Sequence, residues 1–273
     1  MEINVRETRE RLLREVKEEI ERLNIKPTLA IVKCSDDKAS DVYIRNKIKT
    51  MSEVGIAVRY FELNPNNTTQ EELEYMVDLL NLTYNATIVQ LPLDKKFDES
   101  AVLENINPLH DCDGLTLKQI AWLRTKNKNA IFPATAGACL EIIKDNIERL
   151  EGLDVCIVNR SKLIGLPLQS ILTNHDMTVT LCHSKTKWLK LKTNESQIAV
   201  LGTGQPEMFD ETYLRPYQLV LDCGISFVDG KLKRDVDPYV VNETKVKVAS
   251  KVGIVTTAYI AKNVLACYKL QNK

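Results

Sequence analysis

The sequence of 273 residues lacks several features that would assign it to a specialised class. It carries 37 basic and 37 acidic residues and no net charge, so broad electrostatic capture of nucleic acid or of an anionic membrane is not expected. No apolar run reaches the roughly 18 residues that span a bilayer. The first residues, 1–7, lack the apolar stretch of a secretion signal. We expect a cytoplasmic protein with neither a nucleic-acid nor a membrane partner.

Histidine and cysteine are too few or too scattered to indicate a metal centre. The chain has 3 histidines, and its 7 cysteines form no Cys-x-x-Cys pair. An odd, dispersed set of cysteines is typical of small buried side chains in a reducing compartment. We therefore expect neither a disulfide framework nor a bound metal.

Hydrophobic residues make up 44% of the chain, which is enough for a core, and the length suggests one large domain or two modest ones. Segments with helical periodicity alternate with short apolar runs, and the alternation restarts after about residue 135. This pattern indicates parallel sheets covered by helices, and hence two α/β units. Helices are predicted at 5–23, 40–55, 69–80, through 140–143 and at 256–270, and strands at 28–32, 57–61, 86–91, 155–158, 178–181, 198–201 and 219–222.

The second half contains a mononucleotide-binding pattern. The strand at 155–158 leads into a tight turn and a helix, whose backbone N–H groups can hold a phosphate, although the turn lacks Gly-x-Gly-x-x-Gly spacing. Arg160 offers a guanidinium and Ser161 a hydroxyl to such a phosphate. Ser184 ends the next strand at the same sheet edge, and an arginine with a serine suits a ribose that carries an extra phosphate. NADP is therefore favoured over NAD, with a surface arginine at a strand end as the alternative.

Two glycine-containing turns follow the later strands of this half. Gly202-Thr203-Gly204 and Asp222-Cys223-Gly224-Ile225 allow a cofactor to approach the backbone closely. Each is also an ordinary turn when taken alone.

The first half contains polar side chains suited to acid–base chemistry. Tyr43 and Lys47 are spaced i, i+4 on one helix face, where a phenol can position a substrate beside an amine. Gln90 follows a predicted strand at the end where side chains enter active-site clefts. Asp111 and Asp113 bring two carboxylates to one turn. The alternatives are a solvated basic helix face for Tyr43 and Lys47 and simple turn formation for the aspartates.

Taken in order, these segments resemble the bifunctional methylenetetrahydrofolate dehydrogenase/cyclohydrolase family across essentially the whole chain. No single stretch is decisive; their number and order carry the resemblance. The matching stretches are Tyr43-Ile44-Arg45-Asn46-Lys47-Ile48-Lys49 with Gly55-Ile56, Val89-Gln90-Leu91-Pro92-Leu93, Asp111-Cys112-Asp113-Gly114, Pro133-Ala134-Thr135, Arg160-Ser161 with Gly165-Leu166-Pro167, Thr178-Val179-Thr180 with Cys182-His183-Ser184, Asp222-Cys223-Gly224-Ile225 and Asp235-Val236-Asp237.

The resemblance implies two reactions of one-carbon metabolism, which also places the protein in purine biosynthesis. Methylenetetrahydrofolate is oxidised by NADP to the methenyl cation, which is then hydrolysed to formyltetrahydrofolate. It implies that Lys47 assists proton transfer, that Gln90 orients Lys47, and that Tyr43 aligns the folate. Asp113 would accept hydrogen bonds from the pterin. Arg160 and Ser184 would lie nearest the extra phosphate of the dinucleotide.

The same resemblance implies the remaining site residues. The substrate would contact Tyr43, Lys47, Val89, Gln90, Leu91, Pro92, Asp113 and Gly253. The cofactor would contact Thr135, Asn159, Arg160, Ser161, Ser184, Gly202 and Ile225.

The implied architecture has a folate-binding catalytic domain at 1–134, completed by a C-terminal helix at 255–273. A Rossmann-like NADP-binding domain covers 135–254, and the active-site cleft lies between the two. Relatives are usually homodimers paired through the nucleotide domain, and we expect the same here.

Four departures from the family pattern stand out. Asn159 replaces a glycine, which asparagine's tolerance for left-handed backbone would make mild. Ala136 replaces a proline, and His110 a lysine. The family's Pro-Gly-Gly-Val-Gly-Pro-Met-Thr reads Ala-Ser-Lys-Val-Gly-Ile-Val-Thr at 249–256, where we expect larger side chains to narrow the pocket or to redirect the backbone. The alternatives to a bifunctional enzyme are therefore an enzyme with one of the two activities, or a non-catalytic relative that binds folate or nucleotide or acts as a dimeric interaction protein.

Overall fold

The computed structural model describes residues 1–272, without the side chain of Ala39. The chain divides into two compact units. One, here the five-stranded unit, contains residues 1–9 and 135–256. The other, the three-stranded unit, contains residues 10–134 and the chain from Thr257 onward. The assignment of 1–134 with 255–273 to folate binding and of 135–254 to NADP binding, and the cleft between those domains, stay predictions.

The three-stranded unit has a parallel sheet of order β2-β1-β3. Strands β1 and β3 are almost fully buried, which explains their continuous apolar sequence, because helices cover a parallel sheet on both faces. The elements are α1 (Val5–Leu23), β1 (Thr28–Lys33), α2 (Lys38–Glu53), β2 (Ala57–Glu62), α3 (Gln70–Thr83), β3 (Ala86–Val89), α4 (Glu99–Glu104) and α5 (Leu117–Arg124).

Helix α3 begins with a capping box at Thr69. The Thr69 hydroxyl accepts a hydrogen bond from the Glu72 backbone nitrogen at 3.2 Å. The Glu72 carboxylate accepts one from the Thr69 backbone nitrogen at 2.8 Å. Two otherwise unpaired N–H groups of the first turn are satisfied in this way.

The five-stranded unit has a parallel sheet of order β10-β7-β6-β4-β5. Its chain runs from β4 outward to β5 on one side and then to β6, β7 and β10 on the other, so the order reverses beside β4. Ligands of open α/β sheets bind outside the carboxyl ends of the strands at such a reversal. The elements are α6 (Ala134–Asn146), β4 (Asp154–Val158), α7 (Gly165–Asn174), β5 (Thr178–Cys182), α8 (Leu189–Glu195), β6 (Ile198–Leu201), β7 (Leu219–Asp222), β8 (Ser226–Val228), β9 (Lys231–Lys233), α9 (Pro238–Glu243), β10 (Lys247–Ala249) and the start of α10 (Val252–Gln271), which continues from Thr257 in the three-stranded unit.

The predicted α/β class and the seven predicted strands are confirmed, and several boundaries differ by a few residues. Strand β3 ends at Val89 and not at 91. Helix α10 begins at Val252 and not at 256. The sequence reading missed the antiparallel hairpin β8–β9, strand β10 and the short helices α4, α5, α8 and α9.

The cysteines behave as their spacing indicates. All seven lie within the described residues and carry free thiols, and all except Cys223 are buried. Among residues 1–272, no helix is both long enough and apolar enough to cross a membrane.

Candidate functional site

A lysine–glutamine pair lies beyond the sheet edge of the three-stranded unit. Lys47 of α2 donates a hydrogen bond from Nζ to Gln90 Oε1 at 2.9 Å. Gln90 follows β3 directly and is 8% exposed. Its backbone nitrogen donates a hydrogen bond to Val32 O at 2.8 Å. Its Nε2 donates to Leu91 O at 2.8 Å, which leaves Oε1 directed at the lysine. The pairing expected from the resemblance is therefore present.

The other residues predicted around this pair differ in exposure. Tyr43, one turn before Lys47 on α2, is 51% exposed and can meet a ligand from solvent. Val89 is the buried last residue of β3. Leu91 is half-buried, and Pro92 is exposed after its cis bond.

The turn at 111–114 separates its two aspartates into different roles. Asp111 is fully buried and accepts hydrogen bonds from Gly114 N and Thr116 N, each at 2.8 Å. Burial raises the pKa of Asp111 to about 6, against the lowering effect of those hydrogen bonds. Turn formation is thus the correct interpretation for Asp111. Asp113 is half-buried.

Lys47 lies within electrostatic reach of this turn. Burial raises the pKa of the Cys112 thiol, the nearby Cys267, Asp113 and Asp111 raise it further, and the charge of Lys47 acts in the lowering direction. Cys112 stands between the two aspartates, so the lysine and the carboxylate of Asp113 belong to one region of the unit.

Asn263 of α10 holds the Asp113 turn, and the sequence reading did not find it. Its Nδ2 donates to Cys112 O at 2.8 Å and to Phe132 O at 2.9 Å. The side chain is 4% exposed. An asparagine on an otherwise apolar helix face is a weak sequence signal, because a buried amide and a solvated one look alike in sequence.

A cavity of about 220 Å³ lies at the carboxyl edge of the five-stranded sheet. Residues that follow β4, β5 and β6 line it, at the place where the strand order reverses. Val158 pairs with Cys182 in the sheet, so Arg160 and Ser184 each follow their strands by two residues. The lining residues are Val158, Asn159, Arg160, His183, Ser184, Leu189, Gly202, Thr203, Gln205 and Met208.

Four of the seven predicted cofactor residues, Asn159, Arg160, Ser184 and Gly202, line this cavity. The other three lie elsewhere in the five-stranded unit. Ser161 caps a local turn, since its hydroxyl accepts from Ile164 N at 3.1 Å. Thr135 is in the first turn of α6, and Ile225 is exposed just before β8.

Asn159 has a different role from the one that its replacement of glycine suggested. It is not among the residues with positive φ, so left-handed backbone is not the reason for the asparagine. Its Oδ1 accepts from Ser161 N at 2.8 Å and Gly165 N at 3.0 Å, and its Nδ2 donates to Gly202 O at 2.6 Å. The first N–H group of α7 is therefore bonded to a side chain.

The altered segment before the last helix is held by the beginning of the chain. Ser250 Oγ donates to Glu2 Oε1 at 3.0 Å, and Lys251 Nζ lies 3.7 Å from the same oxygen. Helix α10 begins at Val252, directly after these two residues, and the expected narrowing of the pocket or redirection of the backbone stays a prediction. Gly253 is exposed, with open space where a Cβ would lie.

The fold and these sites define a two-unit α/β protein. One unit has a cavity of the dinucleotide-binding type, and the other has a lysine–glutamine pair. The sequence model of the tetrahydrofolate dehydrogenase/cyclohydrolase catalytic domain matches residues 3–113, and that of the NAD(P)-binding domain matches residues 133–272. The chain belongs to the tetrahydrofolate dehydrogenase/cyclohydrolase family.

Individual relatives agree with this assignment. The bifunctional protein FolD of Rickettsia bellii is 36% identical over 95% of both chains. The bifunctional methylenetetrahydrofolate dehydrogenase/cyclohydrolase of Thermoplasma acidophilum superposes with a TM-score of 0.93 at 27% identity, covering 100% of this chain and 99% of that one. The Trypanosoma brucei enzyme, solved with NADP and an inhibitor, superposes with a TM-score of 0.91 at 29% identity, covering 100% and 98%.

The Asp113 turn yields a stability prediction. Gly114 has φ +69°, and a Cβ there would lie 2.7 Å from Ile131 O and 2.9 Å from Pro133 N. Gly152 has φ +77° with no atom within 4 Å of its Cβ position. We expect Gly114→Ala to lower the free energy of unfolding by about 2 kcal/mol more than Gly152→Ala, because only the former adds overpacking to backbone strain. Urea denaturation measures both, and equal losses would show that the turn does not pack tightly on residues 131–133.

Proposed function

We propose that this chain is a bifunctional folate enzyme. It oxidises methylenetetrahydrofolate to methenyltetrahydrofolate with NADP and then hydrolyses that product to formyltetrahydrofolate. The single observation that carries the proposal is the Lys47–Gln90 hydrogen bond of 2.9 Å, in a chain that belongs to this family over its length. Relatives named as bifunctional at 36% identity support both activities.

Lys47 is the proton-transfer residue of the hydrolysis. Water adds to the methenyl carbon and loses one proton, the ring C–N bond breaks, and the remaining hydroxyl proton is released to solvent as the formyl C=O forms. An amine held within reach of the attacking water can take that proton and return it to the leaving nitrogen. Gln90 keeps Nζ in place, because its own Nε2 is bonded to Leu91 O and its rotamer is thereby fixed.

The folate contacts come from the region around this pair. The exposed ring of Tyr43 stacks on the substrate, and Asp113 accepts hydrogen bonds from pterin N–H groups. Val89, Leu91 and Pro92 border the same strand end. Gly253 belongs to the five-stranded unit, and its contact with folate stays a prediction.

The cavity of the five-stranded unit fits the phosphate-bearing part of NADP. Arg160 is exposed at the cavity wall, and Ser184 stands opposite it on the neighbouring strand end. A guanidinium and a hydroxyl are suitable donors for a phosphate monoester. Bound NADP supplies the acceptor for the hydride. Asn159 and Gly202 form part of the cavity wall. Thr135, Ser161 and Ile225 are the remaining predicted cofactor residues, and they act through local backbone contacts.

The protein acts as a cytoplasmic homodimer, and its formyl product is of the class that purine biosynthesis consumes. Support for pairing comes from hairpin β8–β9, which exposes Phe227, Val228 and Leu232 by 69%, 40% and 50%. A cluster of exposed apolar side chains on one short hairpin is typical of an interaction surface.

Replacing Lys47 tests the hydrolytic role. Lys47→Met should reduce methenyltetrahydrofolate hydrolysis by at least about 100-fold, since a general acid–base group contributes roughly that much. Hydrolysis is monitored through the loss of methenyl absorbance. Folate binding is measured by calorimetry, and little change in affinity is expected. Lys49→Met, on the exposed face of the same helix, is the matched control and should keep full activity. Unchanged hydrolysis in Lys47→Met would refute the assignment.

Replacing Arg160 tests the cofactor preference. Arg160→Ala should weaken NADP binding about tenfold or more and NAD binding by less than about twofold, because only NADP offers the extra phosphate. Calorimetric titration of both dinucleotides gives the two ratios. Arg149→Ala, exposed before β4, should alter neither. Equal losses for NADP and NAD would mean that Arg160 is structural.

A charge on the hairpin tests the dimer. Phe227→Asp should convert a particle of about twice the chain mass, 31.0 kDa, into a monomer in light scattering after size exclusion. Tyr217→Asp adds the same charge at an equally exposed aromatic of this unit and should leave the mass unchanged. A dimer that persists in Phe227→Asp would exclude the hairpin as its interface.

A further inference from the structure

A second carboxylate pair, Asp222 and Asp235, is buried beside the cavity of the five-stranded unit. Both side chains are 0% exposed. Neither belongs to the site residues named above, and neither lines the cavity. Buried carboxylates are costly unless they are hydrogen-bonded, so their partners indicate what they do.

Asp235 binds the loop that follows β6. Its Oδ2 accepts hydrogen bonds from Thr203 N at 2.5 Å, Thr203 Oγ1 at 2.7 Å and Gly204 N at 3.2 Å. Thr203 and its neighbours Gly202 and Gln205 line the cavity. One oxygen atom therefore fixes both the backbone and the side chain of the cavity wall.

Asp235 is itself fixed from two sides. Asp222, the last residue of β7, accepts from Asp235 N at 3.4 Å and from Val236 N at 3.0 Å. On the other side, Phe209 N donates to Asp235 O at 3.0 Å. The carboxylate thus sits on a backbone whose position is set by the sheet.

Gly224 makes room for this arrangement. A Cβ at Gly224 would lie 2.0 Å from Asp235 Cγ and 2.1 Å from Oδ1. Oδ1 is buried and has no hydrogen-bond partner among residues 1–272, so the hydrogen bonds of the carboxylate to the loop all go through Oδ2. The glycine of Asp222-Cys223-Gly224-Ile225 is needed for the aspartate, independently of any ligand.

We infer that Asp235 is a positioning residue for the dinucleotide site: it holds Thr203 and Gly204 in the conformation that forms the cavity wall, with Asp222 as its anchor. The inference rests on the proposed function only in taking NADP as the ligand of this cavity. It predicts that the loop loses its shape when the carboxylate is removed, although Asp235 itself never touches the cofactor.

The test measures NADP affinity by calorimetry, and not turnover alone. Asp235→Ala should raise the dissociation constant of NADP about tenfold or more, because three loop hydrogen bonds are lost. Asp235→Asn keeps one acceptor oxygen and should raise it by about threefold. Methenyl hydrolysis without NADP should stay within about twofold in both variants, since the Lys47–Gln90 pair lies in the other unit.

The matched control is Asp237→Ala, two residues further on. Asp237 caps α9 by accepting from Tyr239 N at 2.8 Å, so its loss lowers the melting temperature and should leave NADP affinity unchanged. Wild-type affinity in Asp235→Ala would overturn the inference, as would a loss of affinity in Asp237→Ala equal to that in Asp235→Ala. If Asp235→Ala does not fold, Asp235→Asn decides, and unchanged affinity there overturns the inference.

Failure of the proposed function gives a different result. A wild-type protein that binds NADP, loses that affinity in Asp235→Ala, and oxidises no methylenetetrahydrofolate would refute the enzyme while supporting the positioning role. A fully active Asp235→Ala enzyme with wild-type NADP affinity would refute the positioning role while supporting the enzyme.

Discussion

The common carboxyl edge of parallel strands is the constraint on which both candidate sites depend. In the three-stranded unit, Gln90 leaves β3 at this edge and meets Lys47 from the helix that follows β1. In the five-stranded unit, Val158 and Cys182 pair at the ends of neighbouring strands, and Arg160 and Ser184 each lie two residues beyond that pair. Because parallel strands end together, residues far apart in sequence come together without any dedicated scaffold.

Short polar side chains hold the backbone of turns in both units. Asp111, Asn159 and Asp222 each accept N–H groups from the turn that follows them. These bonds satisfy backbone donors inside the protein. Burial raises the pKa of both Asp111 and Asp222 to about 6, so each carboxylate carries a desolvation cost that its N–H partners offset in part. Turn geometry at these places is thus maintained by side-chain acceptors.

Much of the architecture could be predicted from sequence because apolar strands and amphipathic helices have periodic patterns. The strands at 155–158 and 198–201 are of this kind. The hairpin β8–β9 could not be found this way, since its strands have three residues each and are largely exposed. The early start of α10 was also missed, because Gly253 weakens the helical signal in its first turn.

Some residues of the candidate sites could be found from the sequence and others could not. Lys47, Gln90 and Arg160 stand in ordered motifs and were found from them. The roles of Asn263 and of the hydrogen bond between Asp235 and Thr203 were not found from the sequence. Each depends on a contact between distant segments, which produces no recognisable spacing pattern in the sequence. For Asn159, the residue type suggested left-handed backbone. In the structure its side-chain carboxamide holds the turn through hydrogen bonds instead.

The most direct test of the account is turnover by the purified chain supplied with methylenetetrahydrofolate and NADP. NADPH and formyltetrahydrofolate should both form, with the methenyl compound as the intermediate between them. Absence of reduction with NADP and with NAD alike would contradict the central claim.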